Sequence, residues 1–361
     1  MSKREITVVR TTNGKARPDP NHLGFGKYFT DHMFVMDYDR ENGWHSPRVI
    51  PYQPITLDPA TMVFHYGQTV FEGLKAYHSQ DGRTLLFRPE KNVERLNRSC
   101  SRLNIPEVEE EAFLSGLKTL IQVDRDWIPT TEGTSLYIRP FILPTETNLR
   151  VAPASSYKFV IILSPVGSYY PEGINPVGIN VEKQYTRAVL GGTGTAKTAG
   201  NYCAGYKAQQ KASESGAAQV LWLDGIEKKY IEEVGSMNIF FKIDGEVVTP
   251  QLNGSILEGI TRMSIIELLQ EWGIPVTERK ISFDEFVKAY QEERVEEVFG
   301  TGTAAVISPV GEFRYQDTKY LINNRQTGDL SKKLYETITG IQTGKIYDEF
   351  GWTVEVKSSG M

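Results

Sequence analysis

Apolar residues recur along the chain with two periods, and the changes of period mark out elements. Residues 32–38 (His-Met-Phe-Val-Met-Asp-Tyr) form an apolar run of strand length, and 38–43 supply turn chemistry. Val93, Leu96, Cys100 and Leu103 share one face of a helix predicted over 89–103, with Pro89 suited to its first turn. Phe113, Leu117, Leu120 and Ile121 form the stripe of a second helix over 108–123. Residues 134–143 and 157–163 read as strands. Farther on, the pattern predicts a short strand at 177–181 and helices over 201–214, 257–272 and 283–293. Strands running into turns are predicted at 219–225 and 236–245, and a strand over 295–310 broken by Gly300-Thr-Gly-Thr. In the 257–272 helix, Ile260, Met263, Ile266 and Leu269 fall on one face. Residues 1–30 are polar and rich in Gly and Pro, and read as an irregular arm.

The stretch 165–176 is dense in Gly, Pro and Tyr between two strand-rich regions, which makes it the expected interdomain loop. The expected division is a domain over 1–164 and another over 177–361. No repeat is visible. Helices and strands mix without strict alternation, so the fold class expected is α+β or mixed α/β in two domains.

Composition narrows the function classes. The 361 residues carry a net charge of -5, which gives no electrostatic case for nucleic acid or an anionic membrane as partner. Five His and two Cys cannot build a zinc framework, and no metal site is expected. Cys100 and Cys203 are too few for a disulfide scaffold. No apolar run reaches the roughly 18 residues of a membrane helix, and the first residues lack the apolar core of a secretory signal. A cytoplasmic protein is expected.

The densest chemical signal is Gly191-Gly-Thr-Gly-Thr-Ala-Lys197-Thr-Ala-Gly-Asn-Tyr202. No carboxylate lies between Lys183 and Glu214, so Lys197 has no partner close in sequence. Burial would lower the pKa of such an amine and favour Schiff-base chemistry; a solvated lysine on a surface loop is an equal alternative. The 257–272 helix opens with Gly259, Ile260 and Thr261, and a helix start offers N–H donors to a phosphate. Gly300-Thr-Gly-Thr303 is a second hydroxyl-rich loop, or simply a β-turn. Glu233 precedes an apolar strand without a basic neighbour; it could protonate a pyridine nitrogen, or could be a solvated turn carboxylate. An amine, two phosphate-binding candidates and a carboxylate match what pyridoxal phosphate requires. Gly191 to Thr198 also nearly fits a nucleotide-binding P-loop, but Ala196 stands where that turn needs glycine.

Longer motifs decide between these. Gly194-Thr-Ala-Lys197, Gly200-Asn-Tyr202, Gln219-Val-Leu-Trp-Leu-Asp-Gly and Glu233-Val-Gly-Ser-Met-Asn resemble the branched-chain amino acid aminotransferases. So do Phe25-Gly-Lys-Tyr-Phe-Thr-Asp-His-Met, His65-Tyr66-Gly-Gln-Thr-Val-Phe-Glu-Gly-Leu-Lys, Phe87-Arg-Pro and Gly133-Thr-Ser-Leu-Tyr137-Ile-Arg139-Pro. The likeness runs in the same order from about residue 20 to 310.

The resemblance implies fold type IV of the pyridoxal phosphate enzymes: a smaller N-terminal α/β domain, a larger C-terminal domain, a homodimer, and the cofactor between domains. It implies Lys197 as the Schiff-base lysine, Glu233 at the pyridine nitrogen and Tyr202 at the phenolic oxygen. Arg95, Ile260, Thr261 and Thr303 would form the phosphate cup, with Arg187 a further cofactor contact. Ser236 and Ala304 match positions that hold the substrate carboxylate. Phe25, Tyr66, Phe71, Tyr137 and Leu149 match the side-chain pocket, Tyr66 and Leu149 coming from the partner subunit. Arg139 matches the residue that accepts the distal carboxylate of glutamate. The expected substrates are leucine, isoleucine and valine with 2-oxoglutarate, since apolar walls separate one methylene by only about 1–3 kcal/mol. A D-amino acid aminotransferase or a lyase of the same fold is the nearest alternative. Some relatives carry Cys-x-x-Cys after the threonine loop; Ala305 and Ser308 stand there, so no thiol switch is expected.

Overall fold

The computed structural model describes residues 5–167 and 174–357. They fall into two compact units, Met1–Pro171 with Ala196–Ala199 and Gly340–Met361, and Glu172–Thr195 with Gly200–Thr339.

The first unit is built on one sheet. Its elements are β1 (Thr7–Val8), β2 (His32–Asp39), β3 (Gly43–Pro51), α1 (Val63–Tyr66), β4 (Val70–Phe71), β5 (Leu74–His78), β6 (Thr84–Phe87), α2 (Pro89–Arg102), α3 (Glu110–Val123), β7 (Ser135–Pro144) and β8 (Tyr157–Val166). The strand order is β1-β3-β2-β8-β7-β5-β6, then the C-terminal strand Thr353–Glu355, with β4 beside β7. All described pairings are antiparallel except β1 with β3. The core lies between this sheet and the apolar stripes of α2 and α3, where Leu96, Cys100, Phe113 and Leu117 meet Phe34, Phe159 and Ile161. Gly116 lets α3 approach: a Cβ there would come within 2.6 Å of the Phe34 ring.

The second unit holds β9 (Val177–Glu182), α4 (Ala199–Cys203), α5 (Tyr206–Glu214), β10 (Gln219–Leu223), β11 (Ile231–Val234), β12 (Asn238–Ile243), β13 (Glu246–Pro250), α6 (Ile260–Glu271), β14 (Val276–Arg279), α7 (Phe283–Gln291), β15 (Val295–Gly302), β16 (Val306–Tyr315) and β17 (Thr318–Leu321). Its sheet runs β11-β10-β9-β16-β15-β12-β13-β14, with β17 on β16. Here β9 lies parallel to both β10 and β16. The helix Asp329–Gln342 starts in this unit. The buried Glu297 carboxylate accepts the Leu330 and Ser331 N–H groups at its first turn, each at 2.9 Å.

Several expectations need correction. The 1–164 and 177–361 division misses two exchanges. The C-terminal strand completes the first sheet by pairing with β6, and Thr198 bridges to Val70. With both added, the unit carrying the N-terminus is the larger. Residues 165–166 still belong to β8, and 168–173 of the expected loop lie outside the described residues. The arm over 1–30 includes β1. The 201–214 helix is two helices broken before Gly205, which packs under Trp222; a Cβ there would stand 3.1 Å from the indole. The 236–245 strand starts at Asn238. In α6 the buried face is Thr261, Ser264, Ile265 and Leu268, together with Ile260, Arg262 and Leu269, while Met263 and Ile266 are half-buried. Polar residues hid that face: Arg262 is buried because it reaches the Pro250 carbonyl and Glu278.

Candidate active site

In the first unit, the lysine segment is held by main-chain bonds on two sides. The Lys197 N–H donates to Ser99 Oγ on α2 at 2.9 Å, and the Lys197 carbonyl accepts from Phe71 N at 3.0 Å. Thr198 Oγ1 donates to the Thr69 carbonyl. The side chain then lies over Phe71, with Nζ 5.0 Å from the ring centroid. The same ring carries Arg139, whose Cζ stands 4.7 Å from the centroid. Arg139 Nη2 donates to the Tyr137 hydroxyl at 2.9 Å, and its Nε is buried without a hydrogen-bond partner. Phe25 meets Tyr137 edge-on at 4.9 Å. Gly73 leaves room for that tyrosine, since a Cβ there would run into its hydroxyl.

Lys197 does have a carboxylate neighbour, brought by the fold rather than by sequence. Glu72 lies within electrostatic reach of it and is paired with Arg95 at 2.7 Å. Burial opposes the charge on Glu72, but Arg95, Lys197 and Asn92 outweigh burial and hold its carboxyl below the usual carboxylate range. Sequence reasoning gave Glu72 no role. Its only signal was a carboxylate set between Val70-Phe71 and Gly73-Leu74 in an otherwise apolar stretch.

Tyr66 and Leu149 form a separate pair. The tyrosine hydroxyl donates to the Leu149 carbonyl, and both side chains are exposed. Among the described residues, no hydrogen bond or ring contact joins either to the Lys197 cluster.

In the second unit, Glu233 is a buried residue of β11 and not a solvated turn carboxylate. Arg187 Nε stands 3.1 Å from its Oε2, and the Leu257 N–H donates to its Oε1 at 2.7 Å. Arg187 Nη2 donates to the Ser255 carbonyl. Gly194 permits the close approach of its own loop to Ser255, whose backbone a Cβ would strike. Thr193 and Asn201 close the same loop by two mutual bonds of 2.7 Å. The start of α6 has no side-chain cap, and Ile260 and Thr261 are buried there. Thr303 and Ala304 are half-buried in the turn between β15 and β16, Tyr202 is half-buried on α4, and Ser236 is exposed after β11.

Each unit by itself carries groups of the kinds a phosphorylated pyridine aldehyde uses: the first the Lys197 amine and the buried Arg95, the second the buried Glu233 carboxylate paired with Arg187 and the uncapped start of α6. Among the described residues, no His, Cys, Asp or Glu group could hold a metal ion.

Comparison with known proteins places the chain. The family "Amino-transferase class IV" matches residues 69–313, and the chain belongs to it. Within it, the chain falls among the branched-chain-amino-acid aminotransferases of fold type IV. It is 66% identical over 356 residues to branched-chain-amino-acid aminotransferase 2 of Bacillus subtilis, covering 99% of this chain and 98% of that one. The solved branched-chain amino acid aminotransferase of Escherichia coli has a TM-score of 0.73 at 27% identity, covering 91% of this chain and 99% of that chain. The solved T.th. branched-chain enzyme complexed with N-(5'-phosphopyridoxyl)-L-glutamate has a TM-score of 0.72 at 25% identity, covering 90% and 98%. The P-loop alternative is set aside by this membership.

Proposed function

We propose that the chain is a branched-chain amino acid transaminase that uses pyridoxal 5'-phosphate. It moves the amino group of L-leucine, L-isoleucine or L-valine to 2-oxoglutarate, giving the branched 2-oxo acid and L-glutamate. The observation that carries this reading is the 66% identity, which extends over the whole chain.

The bound cofactor supplies an aldehyde that accepts the amino group and a ring that takes up electrons when the α-proton leaves. Lys197 would hold that aldehyde and, once released, move the α-proton as general base and then acid. Glu233, paired with Arg187, would keep a proton on the ring nitrogen. Tyr202 would face the phenolic oxygen. Arg95, Ile260, Thr261 and Thr303 would hold the phosphate.

Phe25, Phe71 and Tyr137 would supply apolar walls for the substrate side chain, and Ser236 and Ala304 would receive its carboxylate. Arg139 would receive the second carboxylate of glutamate. Its buried, unpartnered Nε beside the Tyr137 hydroxyl supports that role.

The working unit is a homodimer in a cytoplasmic setting, with Tyr66 and Leu149 reaching the partner's substrate. Exposed Phe64, Tyr66, Leu149 and Val151 support this: they are apolar groups a monomer would leave in water. Among the described residues, no helix is long and apolar enough to cross a membrane.

The test is an assay of the pure protein with L-leucine and, separately, D-alanine, each with 2-oxoglutarate, followed by borohydride reduction and peptide mapping. Turnover with L-leucine and a tag on Lys197 are expected. Turnover with D-alanine alone, or a tag on another lysine, would overturn the reading.

A further inference from the structure

Glu72 has no exposed surface and takes no part in the chemistry assigned above. Its carboxylate is nonetheless fully engaged. Arg95 donates to it through Nε at 2.7 Å and Nη2 at 2.8 Å, Asn92 Nδ2 donates at 2.7 Å, and the Gly73 N–H at 3.1 Å. A buried ion pair roughly balances desolvation against attraction, so such a pair is weak support for stability as such. What singles this one out is its neighbour. Glu72 follows Phe71, whose N–H holds the Lys197 carbonyl and whose ring lies under Lys197 Nζ. Arg95 stands one helical turn before Ser99, whose hydroxyl holds the Lys197 N–H and itself donates to the Arg95 carbonyl at 2.9 Å. The two sides of the pair are therefore the two sides of the lysine's cradle.

We propose that Glu72 is a positioning residue for Lys197: locked by Arg95 and Asn92, it presents a fixed negative charge to the lysine amine and sets how readily that amine releases its proton. This rests on Lys197 being the reacting amine. Glu72 lies within electrostatic reach of Lys197, and Arg139 from β7 shares the Phe71 ring with it. A fixed anion beside an amine favours the amine's protonated form. Lys197 is among the groups that hold the Glu72 carboxyl below the usual carboxylate range, so the two charges are coupled. An amine that must accept and return a proton in each cycle works best balanced between its protonated and free forms.

The experiment is competitive acetylation of the full-length protein freed of cofactor, reading the Lys197 peptide by mass against pH. Glu72→Gln keeps the shape and removes the charge. It should lower the Lys197 midpoint by about one pH unit, which is about tenfold more labelling below both midpoints. Glu72→Asp, which keeps the charge, should restore most of the wild-type midpoint. An unmoved midpoint in Glu72→Gln overturns the proposal while leaving the transaminase reading intact, since that rests on turnover and the borohydride tag. Where Glu72→Gln does not fold, Lys197→Met supplies the converse measurement. Removing the amine should raise the Glu72 carboxyl titration, followed by carbon-13 NMR of labelled glutamate. A Glu72 titration that ignores the lysine overturns the proposal equally.

Discussion

Arg139 ends a strand-borne triad in which a guanidinium, a phenol and a phenyl ring touch. An apolar substrate needs only the rings, whereas a dicarboxylate needs the cation. Arg139→Ala should therefore raise KM for glutamate about tenfold or more, the weight of one charged hydrogen bond, and change KM for leucine much less. Steady-state kinetics with both substrates decide it, and equal losses would take Arg139 out of specificity. Lys75, also of this unit, tests the electrostatics differently. Burial alone pulls its amine down to about 8 from an ordinary 10.5. In the unfolded chain the amine keeps its proton up to the ordinary value, so between these pH values the unfolded state binds more protons and stability rises with pH. Below about pH 8 the full cost of the buried charge is present. Wild type should thus gain stability relative to Lys75→Met as pH rises from about 8 to about 10, measured by urea unfolding. A constant gap would show that the amine is hydrated.

Elements were legible where one period ran long enough. The α2 and α3 stripes lie as Val93, Leu96, Cys100, Phe113, Leu117, Leu120 and Ile121 indicated. Strands such as β4, β6, β11 and β14 have four residues or fewer, too short to display an alternation. The α6 face was misread because its buried positions include Thr261, Arg262 and Ser264; Ser264 bonds back to its own helix at the Ile260 carbonyl, and Arg262 reaches the Pro250 carbonyl and Glu278, partners distant in sequence. The site divides the same way. Lys197 stood out within its glycine loop and Glu233 as a carboxylate without a basic neighbour close in sequence. Glu72 did not, because its partner Arg95 lies 23 residues away. The glycine loop before Lys197 is an element whose close fit can be tested. Gly194→Ala would drive a Cβ into the Ser255 backbone, which cannot rotate aside. Ser255 would shift, and with it the carbonyl that holds Arg187. The variant should lose about 1–3 kcal/mol of stability and bind pyridoxal phosphate more weakly, as followed by absorbance titration. Wild-type values for both would show that the loop can retreat at no cost.

For the whole molecule, the open question is where Tyr66 and Leu149 do their work. Within one chain they bond to each other and, among the described residues, to nothing in the Lys197 cluster, yet both are exposed, as are Phe64, two residues before Tyr66, and Val151, two residues after Leu149. The proposed symmetric dimer would resolve this, because an isologous interface would carry the same pair from each protomer toward the other. Two consequences separate this from a monomer that merely exposes these residues. Val151→Asp should shift the protein toward monomers in sedimentation, and its activity should rise with protein concentration. The sharper consequence is complementation. Lys197→Ala removes the amine and Leu149→Arg blocks the pocket, so each homodimer should be nearly inactive. In a mixed dimer both defects fall on one site, and the other site is intact in every residue. Unfolding and refolding an equal mixture should thus recover about one quarter of wild-type activity, since about half the dimers are mixed and each has one working site of two. If instead Leu149 serves its own chain, each protomer of the mixed dimer keeps its own defect and no activity returns.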